Sequence, residues 1–288
     1  MRIAAFSPSS PADSEKIQKG IELIQTHLQG AQVVLFSDIP GSGPFPYLAQ
    51  NDTHQAQLFH DLLTDSTIDM VWAMRGGYGS LRWLNMVDWQ RLFESSRKNP
   101  LIGFSDVTFL HSALLNIHWP ILIHGPLLTT LAKTDDTSLN ALWHLIRTGN
   151  APTLSGEPLQ TGTVIGHLIG GNLTCLVHTL GTAFEPPWKG AILVMEDHNE
   201  ALYRIDRMLT HLKLTGRLSQ LAGIAVGRIE HTSFDEGQLN TLLLNRLKDL
   251  NIPMAWKLPI GHGAENAPLM LGEEYELNGE TGQLIPIE

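Results

Sequence analysis

The 288-residue sequence contains one cysteine, Cys175. A lone cysteine cannot close an intrachain disulfide, which excludes a disulfide-stapled fold and suits a reducing compartment. Positive charge is also scarce: 19 basic residues face 29 acidic ones, for a formal net charge of −10. Such a surface repels phosphate backbones, so nucleic acid is not an expected partner. No stretch approaches the roughly 20 apolar residues of a membrane span, so no membrane partner is expected either. The opening residues Met1-Arg2-Ile3-Ala4-Ala5-Phe6-Ser7-Pro8 lack the apolar core of a secretory signal. These absences together predict a cytoplasmic protein. There is no H-E-x-x-H and no paired-cysteine motif, and His111, His118 and His124 share no ligand spacing. No metal site is expected. Internal repeats and low-complexity segments are missing as well.

What is present is the balance of a globular chain with a core: 43 % hydrophobic and 17 % charged residues. Apolar runs predict strands over 3–6, 33–36, 69–74, 101–104 and 121–123. Helical spacing predicts helices over 14–28, 53–63 and 107–116. A Gly/Pro loop is expected at 40–46. Strands alternating with helices argue for an α/β fold with a Rossmann-like, mostly parallel sheet and helices on both faces. Prolines, glycines and small polar residues mark 151–163 as a linker. It divides a first domain, 1–150, from a smaller C-terminal α/β domain, 164–288. Helices over 172–179, 200–214 and 236–250 and strands over 191–195 and 224–227 are expected in the second.

Chemistry is concentrated at a few strand ends. In Leu101-Ile102-Gly103-Phe104-Ser105-Asp106-Val107-Thr108 an apolar strand runs straight into a helix. A nucleophile elbow has this layout, with a hydroxyl at the turn and helical N–H groups able to face an oxyanion. The G-x-S-x-G pattern is broken, since Val107 stands at the second glycine, and Ser105 or Asp106 could instead be a helix cap. Arg75-Gly76-Gly77-Tyr78-Gly79-Ser80 follows another strand. Its glycines allow close backbone approach and N–H donation to a developing charge, or they make a plain tight turn. It is not a dinucleotide fingerprint, because it sits on the wrong turn and lacks the spacing. A third strand ends in Glu196-Asp197, carboxylates placed to orient a histidine or to cap the next helix. The charges of Tyr203-Arg204-Ile205-Asp206-Arg207 read as a solvated helix face. Among 13 histidines, His262 stands apart because Gly261 and Gly263 flank it.

Taken in order, RGGYG (75–79), GFSDVT (103–108), GGN (170–172), LVMED (193–197) with YRIDRML (203–209), and Gly261-His262 resemble the LD-carboxypeptidase family. The microcin C self-immunity peptidases are relatives of it. The resemblance implies Ser105 as nucleophile, His262 as base and Glu196 as the carboxylate that orients it. It implies an oxyanion hole from the backbone N–H groups of Gly77 and Asp106. No cofactor is implied. The implied partner is a small peptide substrate, murein tetrapeptide, whose terminal D-Ala is released in peptidoglycan recycling. The family further suggests a homodimer. A free terminal carboxylate has to be recognised, and Arg75 or Arg204 could clamp it. Three other readings share much of this pattern. They are an immunity-type peptidase cleaving acylated aspartyl or glutamyl adenylates, a non-catalytic α/β ligand-binding protein, and an ordinary α/β-hydrolase, against which the broken G-x-S-x-G counts.

Overall fold

In the first strand, Arg2–Phe6, the side chains part to two sides: Ile3 and Ala5 enter one buried cluster, Ala4 and Phe6 another. Met70 and Trp72 likewise part from Val71 and Ala73. Strands apolar on both faces belong in a sheet covered by helices on both sides. The computed structural model describes residues 1–37, 41–231 and 233–287 and has that form. Of the Gly/Pro loop expected at 40–46, Pro40 lies outside the described residues.

The strands in chain order are β1 (Arg2–Phe6), β2 (Gln32–Leu35), β3 (Met70–Ala73), β4 (Leu101–Gly103), β5 (Leu122–His124), β6 (Leu154–Ser155), β7 (Glu157–Gln160), β8 (Thr163–Asn172), β9 (Ile192–His198), β10 (Gly223–Glu230), β11 (Met254–Trp256), β12 (Leu269–Leu271), β13 (Glu274–Asn278) and β14 (Gln283–Pro286). The helices are α1 (Ser14–His27), α2 (Asp52–Thr64), α3 (Ser80–Trp83), α4 (Trp89–Glu94), α5 (Thr108–Leu115), α6 (Asp136–Thr148), α7 (Leu173–His178), α8 (Leu202–Leu214) and α9 (Glu236–Leu247). The first sheet has the order β12-β5-β4-β3-β1-β2. Its strands β1 to β5 run parallel, and β12 closes the edge antiparallel to β5. The second sheet has the order β6-β14-β13-β8-β9-β10-β11-β7. Its centre, β8 to β11, is parallel and its flanks are antiparallel. The expected class, a parallel-rich α/β sheet followed by a second α/β unit, is the class observed.

Two features depart from a simple two-part plan. The stretch 151–163 is more than a connection, since β6 and β7 in it lie at opposite edges of the second sheet. Conversely β12, late in the chain, completes the first sheet. The core follows suit. One face of the first sheet packs Ile17 and Ile24 of α1 with Leu142 and Trp143 of α6. The other face, with Phe59 of α2 and Leu110 of α5, is continuous with Ile169, Leu173, Ile192 and Val194 around the second sheet. Among the described residues no helix is long and apolar enough to cross a membrane.

Candidate active site

Parallel strands bring their carboxyl ends to one edge, where the following turns form a crevice. Here the turns after β1, β3, β4 and β5 meet, and the turn after β11 joins them from the second sheet. One cavity is lined by Arg75, Gly76, Gly77, Phe104, Ser105, Leu127, Lys133 and His262, among others.

Ser105 opens a short 3-10 turn, Ser105–Val107, between β4 and α5. Its φ is 64°, a left-handed conformation that a residue with a Cβ adopts only under constraint. The constraint is the strand-to-helix turn itself, which lifts the hydroxyl into the cavity. Val107 at the position of the missing glycine is explained by Gly103: a Cβ there would lie 2.9 Å from Val107 Cγ2. The glycine two residues before the serine makes room for the valine two residues after it. Neither Ser105 nor Asp106 caps the helix, whose N-cap, Val107, makes no side-chain bond.

The Asp106 side chain has a different task. It is buried, and its Oδ2 accepts from Ser9 Oγ at 2.6 Å, Ser80 N–H at 2.8 Å and Ser80 Oγ at 2.7 Å. Two turns, those after β1 and β3, are thereby tied to the elbow. Burial pushes the Asp106 carboxyl up from its ordinary value, and these donors pull against that shift.

The glycines of the 75–79 turn sit against the serine. A Cβ on Gly76 would fall 2.9 Å from Ser105 Oγ, so only glycine lets the turn approach so closely. Gly77 has φ 108° and lies over Ser10. Among the described residues its N–H has no acceptor, and it lines the cavity beside Ser105.

His262 follows Gly261, which has φ 143°, after β11. Its Nδ1 lies 2.7 Å from Glu196 Oε2. Glu196 is wholly buried on β9, and its Oε1 has no donor among the described residues. That carboxylate therefore depends on the His262 imidazole for compensation. Burial pushes the imidazole pKa down, but the Glu196 charge and hydrogen bond, with Asp197 behind them, bring it above 6.5 in balance, against Lys133. The ring packs 4.7 Å from the Phe104 ring and stacks on His198 at 5.2 Å. No hydrogen bond joins Ser105 Oγ to His262 among the described residues; the two share the cavity.

Asp197 differs from its neighbour. Its Oδ2 accepts from Thr174 N–H and Oγ1, both at 2.8 Å, and its Oδ1 from His198 N–H. Burial, then the adjacent Glu196 charge, pushes it up to about 6. Neither carboxylate caps α8, whose N-cap is Ala201. The GGN segment positions Glu196. Asn172 pairs with Glu196 in register, and a Cβ on Gly170 would lie 2.0 Å from Val194 O. Asn172 then caps α7 through Cys175 N–H, and its own N–H donates to Thr108 Oγ1 at 3.0 Å, joining the two sheets' turns.

Of the two expected clamps, Arg75 lines the cavity, with its Nη1 donating to Pro11 O at 2.5 Å. Arg204 does not. It pairs with Glu200 at 3.1 Å and lines a separate groove with His178, Arg207 and His211. The solvated face expected for this helix holds for the exposed Arg207, 5.4 Å from the Tyr203 ring centroid, but the half-buried Asp206 is instead paired to Arg246 of α9. Sequence reasoning weighs His124 only as a metal ligand; it is buried beside Phe104 with both ring nitrogens unpartnered, and burial chiefly holds its pKa down to about 4. Sequence reasoning passes over Ser9, Ser80 and Lys133.

Residues 3–125 match the model of the LD-carboxypeptidase N-terminal domain, and residues 165–277 match that of the C-terminal domain. A Synechocystis protein classed with the carboxypeptidases is 39 % identical over 98 % of this chain and 93 % of its own length. The chain belongs to the LD-carboxypeptidase family. The fold agrees with the family throughout. A crystal structure of muramoyltetrapeptide carboxypeptidase from Oxalobacter formigenes superposes with a TM-score of 0.86 at 26 % identity, covering 99 % of this chain and 97 % of that one. The wild-type microcin C7 self-immunity protein has the same fold, with a TM-score of 0.83 at 20 % identity over 100 % of this chain and 96 % of that one. Of the segments named above, RGGYG, GFSDVT and Gly261-His262 line the crevice, LVMED and GGN stand behind it, and YRIDRML lies on α8 beside a separate groove.

Proposed function

We propose that the protein is a serine-type carboxypeptidase that hydrolyses the L,D peptide bond of murein tetrapeptide and releases its terminal D-Ala. The observation that carries this reading is the His262–Glu196 pair at 2.7 Å, opening on the same cavity as a serine held at φ 64°. A serine hydroxyl is a poor nucleophile at neutral pH and needs a base. In the proposed cycle His262 Nε2 takes the Ser105 proton as Oγ attacks the scissile carbonyl. Glu196, on Nδ1, fixes the tautomer and stabilises the imidazolium. The N–H groups of Gly77 and Asp106 receive the oxyanion. His262 then protonates the leaving amine, D-Ala departs, and water enters by the reverse steps to free Ser105.

The reading does not require a Ser105–His262 hydrogen bond before substrate arrives, since such contacts tighten as substrate binds. A peptide is favoured over an adenylate by the lining. Phe104 is the one Phe, Tyr or Trp among the cavity's lining residues, and it is only 2 % exposed, packed against His262 and His124, which gives adenine little ring surface to stack on. The deciding assay incubates the protein with murein tetrapeptide and, separately, with a peptidyl-adenylate. D-Ala release from the first supports the reading. Hydrolysis of the adenylate alone replaces it with the immunity-type activity.

A further inference from the structure

The chain is acidic, with a formal net charge of −10, yet the cavity over Ser105 is basic. Lys16, Lys19, Arg75 and Lys133 line it, against one carboxylate, Asp13. Most of these groups are already engaged. The Asp13 carboxylate is taken up by the backbone N–H of Lys16 as the cap of α1, Lys19 pairs with Glu15 at 2.6 Å, and Arg75 donates to Pro11 O. Two ammonium groups of the lining, those of Lys16 and Lys133, have no carboxylate partner among the described residues, and of the two it is Lys133 that touches the His262 segment. Lys133 ends the 3-10 turn Leu128–Lys133 after β5. Its Nζ rests 3.4 Å from the His262 backbone carbonyl oxygen, a long contact that is given up at little cost.

The side of the cavity on which each cation stands gives it meaning. The turn that would receive the oxyanion lies at Gly76 and Gly77, against Ser105 Oγ, and Arg75 belongs to that side. The leaving amine must lie where His262 can protonate it. In a C-terminal residue the carboxylate carbon is only two bonds from that amine, about 2.5 Å. The anion therefore arrives beside His262, where Lys133 stands.

We infer that Lys133 binds the terminal carboxylate of the departing residue and makes the cavity select peptides with a free-acid C-terminus. The inference rests on the peptidase reading above. A lysine suits the role because its ammonium is a mobile point charge that can leave a carbonyl for a carboxylate. An amidated terminus offers no charge, and a longer chain carries its carboxylate past the lysine.

The test compares kcat/KM for tetrapeptide and for its C-terminal amide, by chromatography of the released residue. The enzymes are wild type, Lys133→Met, Lys133→Arg and Lys189→Met, the last an exposed lysine away from the cavity. Wild type is expected to prefer the acid. Lys133→Met should lose about 10- to 100-fold on the acid, the range of one charge-assisted hydrogen bond, and far less on the amide. Lys133→Arg should recover most of the loss, and Lys189→Met should match wild type. Equal losses on acid and amide, or an undiminished preference for the acid in Lys133→Met, would overturn the inference while leaving the peptidase reading intact. Wild type inert on both peptides would overturn the reading, and the inference with it.

Discussion

Ser105 and His262 are cooperating atoms rather than separate contributors, and their removal should behave accordingly. Ser105→Ala and His262→Ala are each expected to lower kcat about ten-thousand-fold, with the double variant little worse, because either loss disables the same attack. Glu196→Gln should cost less, since the imidazole remains in place. Steady-state kinetics on the four proteins checks this, and additive losses would contradict a shared step. The acid limb of the pH profile carries a sign as well. His262 must be neutral to take a proton, and its pKa lies above 6.5 because Glu196 and Asp197 outweigh burial and Lys133. Measured kcat/KM should therefore fall on the acid side through a midpoint above 6.5. In Glu196→Gln the carboxylate charge is gone, so the midpoint should move to lower pH. An unmoved midpoint would assign the titration to another group.

The turns that carry these residues are held by polar ties rather than by regular structure, which makes the Asp106 hub the element to perturb. Ser80→Ala removes the hydroxyl donor on Asp106 Oδ2 and leaves the Ser80 N–H in place. One lost hydrogen bond to a buried carboxylate costs about 1–3 kcal/mol. Urea unfolding should show that loss, and kcat should drop as the elbow loosens; full activity with lowered stability would mean the elbow holds its shape without the tie. This hub also marks the limit of reading from sequence. The strand ends RGGYG, GFSDVT and LVMED are legible, because glycines and apolar runs carry a local conformational demand. Ser9 and Ser80 are not, because a serine that serves a carboxylate from another turn has no period and no local signature. The helix Asp136–Thr148 is a different case. Its cap at Asp135 and its left-handed end at Gly149 are local signals, but the expectation leaves 136–148 unassigned. Similarly 151–163 has a linker's composition, yet β6 and β7 form there because distant strands offer partners.

The continuity of the core across both sheets bears on how the molecule unfolds. Units joined by small polar interfaces melt apart, whereas a shared apolar core couples them. Tryptophan fluorescence, dominated by the first half of the chain, and far-UV dichroism should therefore give coincident thermal transitions. Two separated transitions would mean the sheets are independent. The general α/β class was readable because alternating strands and helices impose it; the interlocking was not, because pairing partners far apart in the chain leave no trace in local pattern. The β5–β12 pairing shows what that interlocking means for a chain emerging from a ribosome. Residue 124 leaves the exit tunnel long before residue 269, so a first sheet formed during that interval would have its β5 edge, which carries His124, without its β12 partner. An open parallel edge is a template for other chains.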